Sequence, residues 1–235
     1  MERMEQVDQM KQTGQMDRLD HSGNSNNSDG LRRLIEGHKR FLDEVFPGKR
    51  EHFHLLAEGQ QPEWLVITCS DSRIVPDLIL GTEPGDLFIT RNAGNVVPVT
   101  ANDVDGVTAT IEYAVEVLKV KHAILWGHSD CGALKAALDR KGLTNMPKAQ
   151  RWLSHVEEAF AHRQPVNPAD GENAELASLI RGNVVAQLHN LRAQPSVAHA
   201  IAEQRLAVHG WYYDILTGRI ERYNEQMRRF EPLLG

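Results

Sequence analysis

Three short apolar runs, each leading into a turn, constrain the fold of this chain more than anything else in it. Trp64-Leu65-Val66-Ile67-Thr68-Cys69 is compact, rich in β-branched residues and preceded by Gly59-Gln60-Gln61-Pro62. A run of that length and character predicts a strand buried on both faces. Leu87-Phe88-Ile89-Thr90 and Ala123-Ile124-Leu125-Trp126 read the same way, and between them Val107, Ile111, Ala114, Val115 and Leu118 share one helical face. Residues 132–138 open another helix directly after the third strand. Leu176, Leu179, Ile180, Val184, Leu188 and Leu191 then make a longer stripe that Pro195 stops. Segments 206–214 and 219–223 predict a terminal hairpin about Leu216-Thr217-Gly218. Strands alternating with helices predict an α/β fold: a mainly parallel β-sheet flanked by helices, with a C-terminal antiparallel edge strand.

The beginning of the chain has a different character. Residues 1–30 carry three basic and six acidic side chains, half of the chain's net charge of −6. Segment 24–30, Asn-Ser-Asn-Asn-Ser-Asp-Gly, has too little apolar surface to offset its ordering entropy. Residues 1–30 therefore read as a flexible N-terminal tail, and 31–235 as a single domain. Ordered structure is expected from near Leu31, where Leu31, Leu34, Ile35, His38 and Phe41-Leu42 repeat at helical spacing.

An acidic balance gives no electrostatic case for binding nucleic acid or an anionic membrane. No apolar run approaches the roughly 18 residues of a membrane span, and no basic-then-apolar leader opens the chain, so a cytoplasmic location is expected. Two cysteines, Cys69 and Cys131, are too few for a disulfide-stapled secreted domain. One bridge, two free thiols or two metal ligands remain open.

Both cysteines stand where a strand is expected to end. Cys69 begins Cys69-Ser70-Asp71-Ser72-Arg73, and Cys131 follows the third strand in His128-Ser129-Asp130-Cys131-Gly132. A parallel α/β sheet places its sites at the carboxyl ends of its strands. Zinc takes thiolate and imidazole donors in a tetrahedron; His128 and Cys131, three apart on a turn, can converge on one ion while Cys69 approaches from a neighbouring strand. The set leaves one position over, whereas a purely structural site fills it with a fourth Cys or His.

Cys-Ser-Asp-Ser-Arg at 69–73 and His-Ser-Asp-Cys-Gly at 128–132, 54 residues later, resemble the paired signature of the β-class carbonic anhydrases. The resemblance extends through Glu83-Pro84-Gly85-Asp86, Arg91-Asn92-Ala93-Gly94-Asn95, Ile111-Glu112-Tyr113-Ala114-Val115 and His209-Gly210-Trp211, and so covers about residues 31–233. It points to the plant-type branch of that family in a bacterial-like sequence.

The resemblance implies one Zn2+ per chain, held by Cys69, His128 and Cys131, and reversible hydration of carbon dioxide to bicarbonate and a proton through zinc-bound hydroxide. It implies a dyad in which Arg73 orients the Asp71 carboxylate, and an active-site amide at Gln60, nine residues before Cys69. Phe88 and Tyr113 would line an apolar pocket, where Ala93 replaces a larger aliphatic residue. Val66 stands where a bicarbonate-regulated branch has Trp, so no regulatory pocket is expected, and zinc is expected to stay open to water at neutral pH. A homodimer or higher homo-oligomer is implied as well. His52, His54 and His209 are candidate proton shuttles between which the sequence does not choose. The competing functions are a carbon disulfide or related hydrolase on the same scaffold and a non-catalytic zinc-stabilised binding module.

Overall fold

The computed structural model describes residues 25–99, 105–139 and 143–234. By its internal contacts the chain divides into two units, 1–58 and 59–235. In the first, helix α1 (Ser25–Arg40) passes through a π-helical turn (Phe41–Val45) into α2 (Phe46–Glu58). Pro47 explains the widened turn: it has no N–H for the carbonyl four residues back, and its ring would collide with that carbonyl in a regular helix. The helix begins at Ser25, inside the stretch expected to be tail; residues 1–24 lie outside the described residues. Rings of Phe41, Phe46 and Phe53 meet at 5.3–5.9 Å, while Leu31, Leu34, Ile35 and Leu42 are exposed.

The second unit is built on a six-stranded sheet. In chain order it contains β1 (Trp64–Cys69), α3 (Pro76–Leu80), β2 (Leu87–Asn92), α4 (Gly106–Glu116), β3 (His122–His128) and α5 (Gly132–Leu138). After α6 (Pro147–Leu153) come two 3₁₀ segments, Ser154–Phe160 and Pro168–Asn173. Helices α7 (Ala174–Ala193) and α8 (Pro195–Ala202) then lead to β4 (Ala207–Tyr213), β5 (Ile220–Asn224) and β6 (Arg229–Pro232). The strand order is β2-β1-β3-β4-β5-β6. The first four strands are parallel, and β5 and β6 are antiparallel, one strand more than the hairpin pattern predicted. The register pairs Thr68 with Trp126, so β1 and β3 end side by side.

Alternation sorts the strands into two faces. Leu65, Ile67, Ala123 and Leu125 join Ile111, Val115, Val184 and Leu188 in the main core. Val66, Ile124 and Trp126 lie with Trp64, Ile79 and Trp211 in a separate cluster. Helix α7 seats close on β3 and β4: a Cβ at Gly127 would meet Val184 at 2.8 Å, and one at Gly210 would meet Leu188 at 2.5 Å.

That helix is buried around most of its circumference, and its polar residues have a task. Asn183 Nδ2 donates to Gly94 O (2.9 Å), Gln187 Oε1 accepts from Val97 N (2.8 Å) and Asn190 Nδ2 donates to Val97 O (3.1 Å). At the C-cap, Gln194 Nε2 donates to Pro98 O (3.0 Å). Side-chain amides thus satisfy the main chain of residues 94–98, which leaves β2 without a strand partner.

Candidate active site

Cys69 and His128 are the last residues of β1 and β3, and Cys131 is the cap residue before α5. All three are buried, and their ligand atoms lie within 4.8 Å of one another. The two Sγ atoms are 3.9 Å apart and both thiols are free, so the bridge left open by the sequence is not formed. His128 Nδ1 stands 2.9 Å from Ser129 O, and the bond requires Nδ1 to carry the proton. Nε2 therefore faces the thiols with a lone pair, buried and without a partner among the described residues. A buried acceptor left so costs about 1–3 kcal/mol. A cation supplied to that lone pair and to two sulfurs removes the deficit, so the donor set fits a soft divalent metal ion with three protein ligands.

The sulfurs are prepared for the thiolate form. The Cys69 thiol is held well below its ordinary pKa first by the hydrogen bond from Cys131 and then by the N–H groups of Gly94 and Asp71, against the effect of burial. Its neighbour moves the opposite way: Cys69 and burial push the Cys131 thiol up, opposed by the N–H groups of Leu134 and Ala133. Two thiols this close release one proton readily and the second reluctantly, and a divalent cation between them favours both thiolates.

The remaining groups sit on the same two turns. Arg73 donates from Nε to Asp71 Oδ1 (2.9 Å) and from Nη2 to Oδ2 (2.8 Å), and its backbone N–H reaches Oδ1 at 3.0 Å. Those bonds hold Asp71 far below the usual carboxylate range, so it is an ionised, accept-only group near neutral pH. Its Oδ2 is 4.0 Å from His128 Nε2. Arg91 braces the loop beneath by donating to the carbonyls of Cys69 (3.0 Å), Asp71 (2.7 Å) and Ile74 (2.7 Å). On the other side of Arg73, Asp130 accepts from Nη1 at 3.1 Å. A cavity of about 400 Å³ opens there between Arg73, Ser129, Asp130, Asp170, Tyr212 and Asp214.

The other sequence candidates are placed apart. Gln60 is exposed and has no hydrogen-bond partner among the described residues. Phe88 pairs in register with Leu65, four residues before Cys69 and thus about 13 Å along the strand. Tyr113 meets Phe88 at 6.0 Å between ring centroids and is 47% exposed. Ala93 does lie beside the cluster, next to Gly94, with its carbonyl taken by Trp152 Nε1 at 2.8 Å. His209 is in register with Ile124, four residues short of His128, and stands 3.3 Å from His122. His52 and His54 belong to α2, in the other unit. Val66 is fully buried in the cluster around Trp126.

From sequence, spacing groups Cys69, His128 and Cys131 as candidate ligands and the resemblance adds the Asp71–Arg73 pair, but neither gives a role to Asp130 or Arg91. Asp130 had a usable signal, an acid inside the His-x-x-Cys turn. Arg91 had none, because its partners are carbonyls.

A family model described as carbonic anhydrase matches residues 64–220. A carbonic anhydrase of Pseudomonas aeruginosa is 45% identical over 203 residues, 86% of this chain and 92% of that protein. Among solved structures, the β-carbonic anhydrase CcaA superposes with a TM-score of 0.80 at 34% identity, covering 88% of this chain and 93% of that one. A tetrameric β-carbonic anhydrase of the ascomycete Sordaria macrospora gives 0.72 at 35% identity, covering 83% and 96%.

Proposed function

Since the chain belongs to the β-class carbonic anhydrases, enzymes that interconvert carbon dioxide and bicarbonate, we propose that it does so with zinc held by Cys69, His128 and Cys131. One observation carries the choice of ligands: a buried, unpartnered His128 Nε2 facing two sulfurs. Bound there, zinc supplies a Lewis acid that makes water nucleophilic near neutral pH.

The chain's own residues do the rest. Asp71, kept ionised by Arg73, can only accept, so it takes a proton-bearing group of the nucleophile as hydrogen-bond donor and leaves a lone pair free to attack. Arg73 cannot leave without freeing that carboxylate to turn. Asp71 is engaged with Arg73 and not turned into the ligand set, which supports a centre open to water at neutral pH. Gln60 is the amide that holds a substrate oxygen, and Phe88 and Tyr113 form the apolar wall suited to an uncharged gas, with Ala93 beside the metal. Within one chain Gln60 lies exposed, and Phe88 and Tyr113 are distant from the cluster, so we assign them to a site completed by a second copy. The tetrameric Sordaria relative supports a homo-oligomer. Two free thiols fit a reducing cytoplasm. Residues 31–235 would form the catalytic domain.

Stopped-flow carbon dioxide hydration on zinc-replete protein, with metal analysis, tests the reading. Rapid hydration by wild type at one zinc per chain supports it. Hydrolysis of carbon disulfide without hydration would transfer the chain to the related hydrolases. Zinc with neither activity would leave a binding module.

A further inference from the structure

Asp130 is the charged residue of this site that neither the metal cluster nor the Asp71–Arg73 pair requires. It stands between His128 and Cys131 at φ 54°, in the left-handed region that glycine and asparagine enter with least strain. Aspartate is among the few other residues that adopt this backbone, and its carboxylate here has a definite target. We propose that Asp130 is a positioning residue for the reaction: it clasps the outer edge of the Arg73 guanidinium and thereby fixes the Asp71 carboxylate relative to the turn that carries His128 and Cys131. The inference rests on the carbonic anhydrase reading of the site.

The hydrogen-bond pattern makes the argument. A guanidinium has five N–H groups in one plane. Arg73 gives Nε–H and one Nη2–H to Asp71, the other Nη2–H to Asp130 O at 3.0 Å, and an Nη1–H to Asp130 Oδ2 at 3.1 Å. Asp71 and Arg73 are two residues apart on one loop, so their mutual bonds survive if both side chains swing together. Only a tie to a different element stops that motion, and Asp130 supplies two, from side chain and from main chain. Lys135 Nζ, 3.7 Å from Asp130 Oδ1, engages the oxygen that Arg73 leaves. A functionless exposed ion pair is the competing account, and it predicts no kinetic consequence.

Two substitutions separate these. Asp130→Gly accepts the left-handed φ and keeps the carbonyl, deleting the carboxylate alone. Asp130→Asn retains an acceptor oxygen and tolerates the same backbone. Carbon dioxide hydration, metal content, thermal midpoint and crystal structures of the metal-loaded proteins are compared with wild type. In Asp130→Gly we expect kcat/KM to fall by about tenfold, the usual size for loss of a group orienting a metal site. Metal content and midpoint stay unchanged, and the Arg73 side chain leaves its place. Asp130→Asn recovers most of the loss. Activity of Asp130→Gly within about twofold of wild type overturns the proposal, as does an Asp130→Asn variant equally impaired. Metal-loaded wild type that fails to hydrate carbon dioxide overturns the underlying reading instead, and is told apart because no variant is involved.

Discussion

Arg181 and Arg73 are each gripped by two carboxylates, to opposite ends. Arg181, on α7, donates to Asp170 (2.7 and 3.1 Å) and to Glu221 on β5 (2.8 and 3.1 Å), and its guanidinium lies 4.0 Å from the centre of the Tyr212 ring. Its side chain is 6% exposed. Burial opposes its charge, yet the two carboxylates hold its pKa above the ordinary value. Arg73 makes a comparable set of bonds at 43% exposure. Desolvation distinguishes them. A buried ion triad costs several kcal/mol per ion to form, and removing one member strands the others. An exposed one is nearly neutral for stability and can serve the orientation of a reacting group. The same chemistry is therefore a joint of the fold on one side of α7 and part of the site at the ends of β1 and β3.

The comparison can be broken in four ways. The largest effect should come from the ligands themselves: Cys131→Ala is expected to lose its metal and to lower hydration by more than about a thousandfold, as loss of a core catalytic group does. Metal analysis and stopped-flow rates check it, and equal activity would refute the ligand assignment. Next, Arg181→Met should lower the unfolding free energy by about 3 kcal/mol, a value at the low end for a broken buried pair because Glu221 is partly exposed. Urea midpoints measure this, with activity per folded molecule falling less than in Arg73→Met. Arg73→Met should reverse that profile, costing about 10- to 100-fold in kcat/KM and less than about 1 kcal/mol in stability. If both variants lose stability alike, burial does not distinguish the two clasps.

The smallest effect concerns pH. Burial, then the neighbouring His122, lowers the pKa of His209. Between its folded pKa and the unfolded value near about 6.5, the unfolded chain binds more protons, so stability falls as pH drops through that window and is unaffected above it. Thermal midpoints from pH 8 to 5 should therefore decline less steeply in His209→Gln than in wild type.

What could be read from the residues was what is local. Trp64–Cys69 declares a buried strand by composition, and the two cysteine turns declare their chemistry by spacing. The Asp71–Arg73 pair came only through the family resemblance, since an Asp-x-Arg spacing by itself reads equally as a surface ion pair. Non-local polar structure was not accessible. Asn183, Gln187 and Asn190 look like the wet side of an amphipathic helix, yet they are buried because their partners are backbone groups about 90 positions earlier. Arg181 carries no signal beside the apolar stripe, because Asp170 and Glu221 lie 11 and 40 residues away. The separation of Phe88 from Cys69 follows only from register, which a strand pattern alone does not give.

The amide ladder on α7 also acts as a ruler. Its four side chains contact peptide groups, not the side groups of residues 94–98, so they register the spacing of that stretch and are indifferent to much of its lettering. Adding or deleting a single residue after Gly94 would put the later amides out of step with their targets. The strain would reach Gly94, whose N–H serves the Cys69 sulfur, so the length of that segment bears on the geometry of the Cys69–His128–Cys131 cluster.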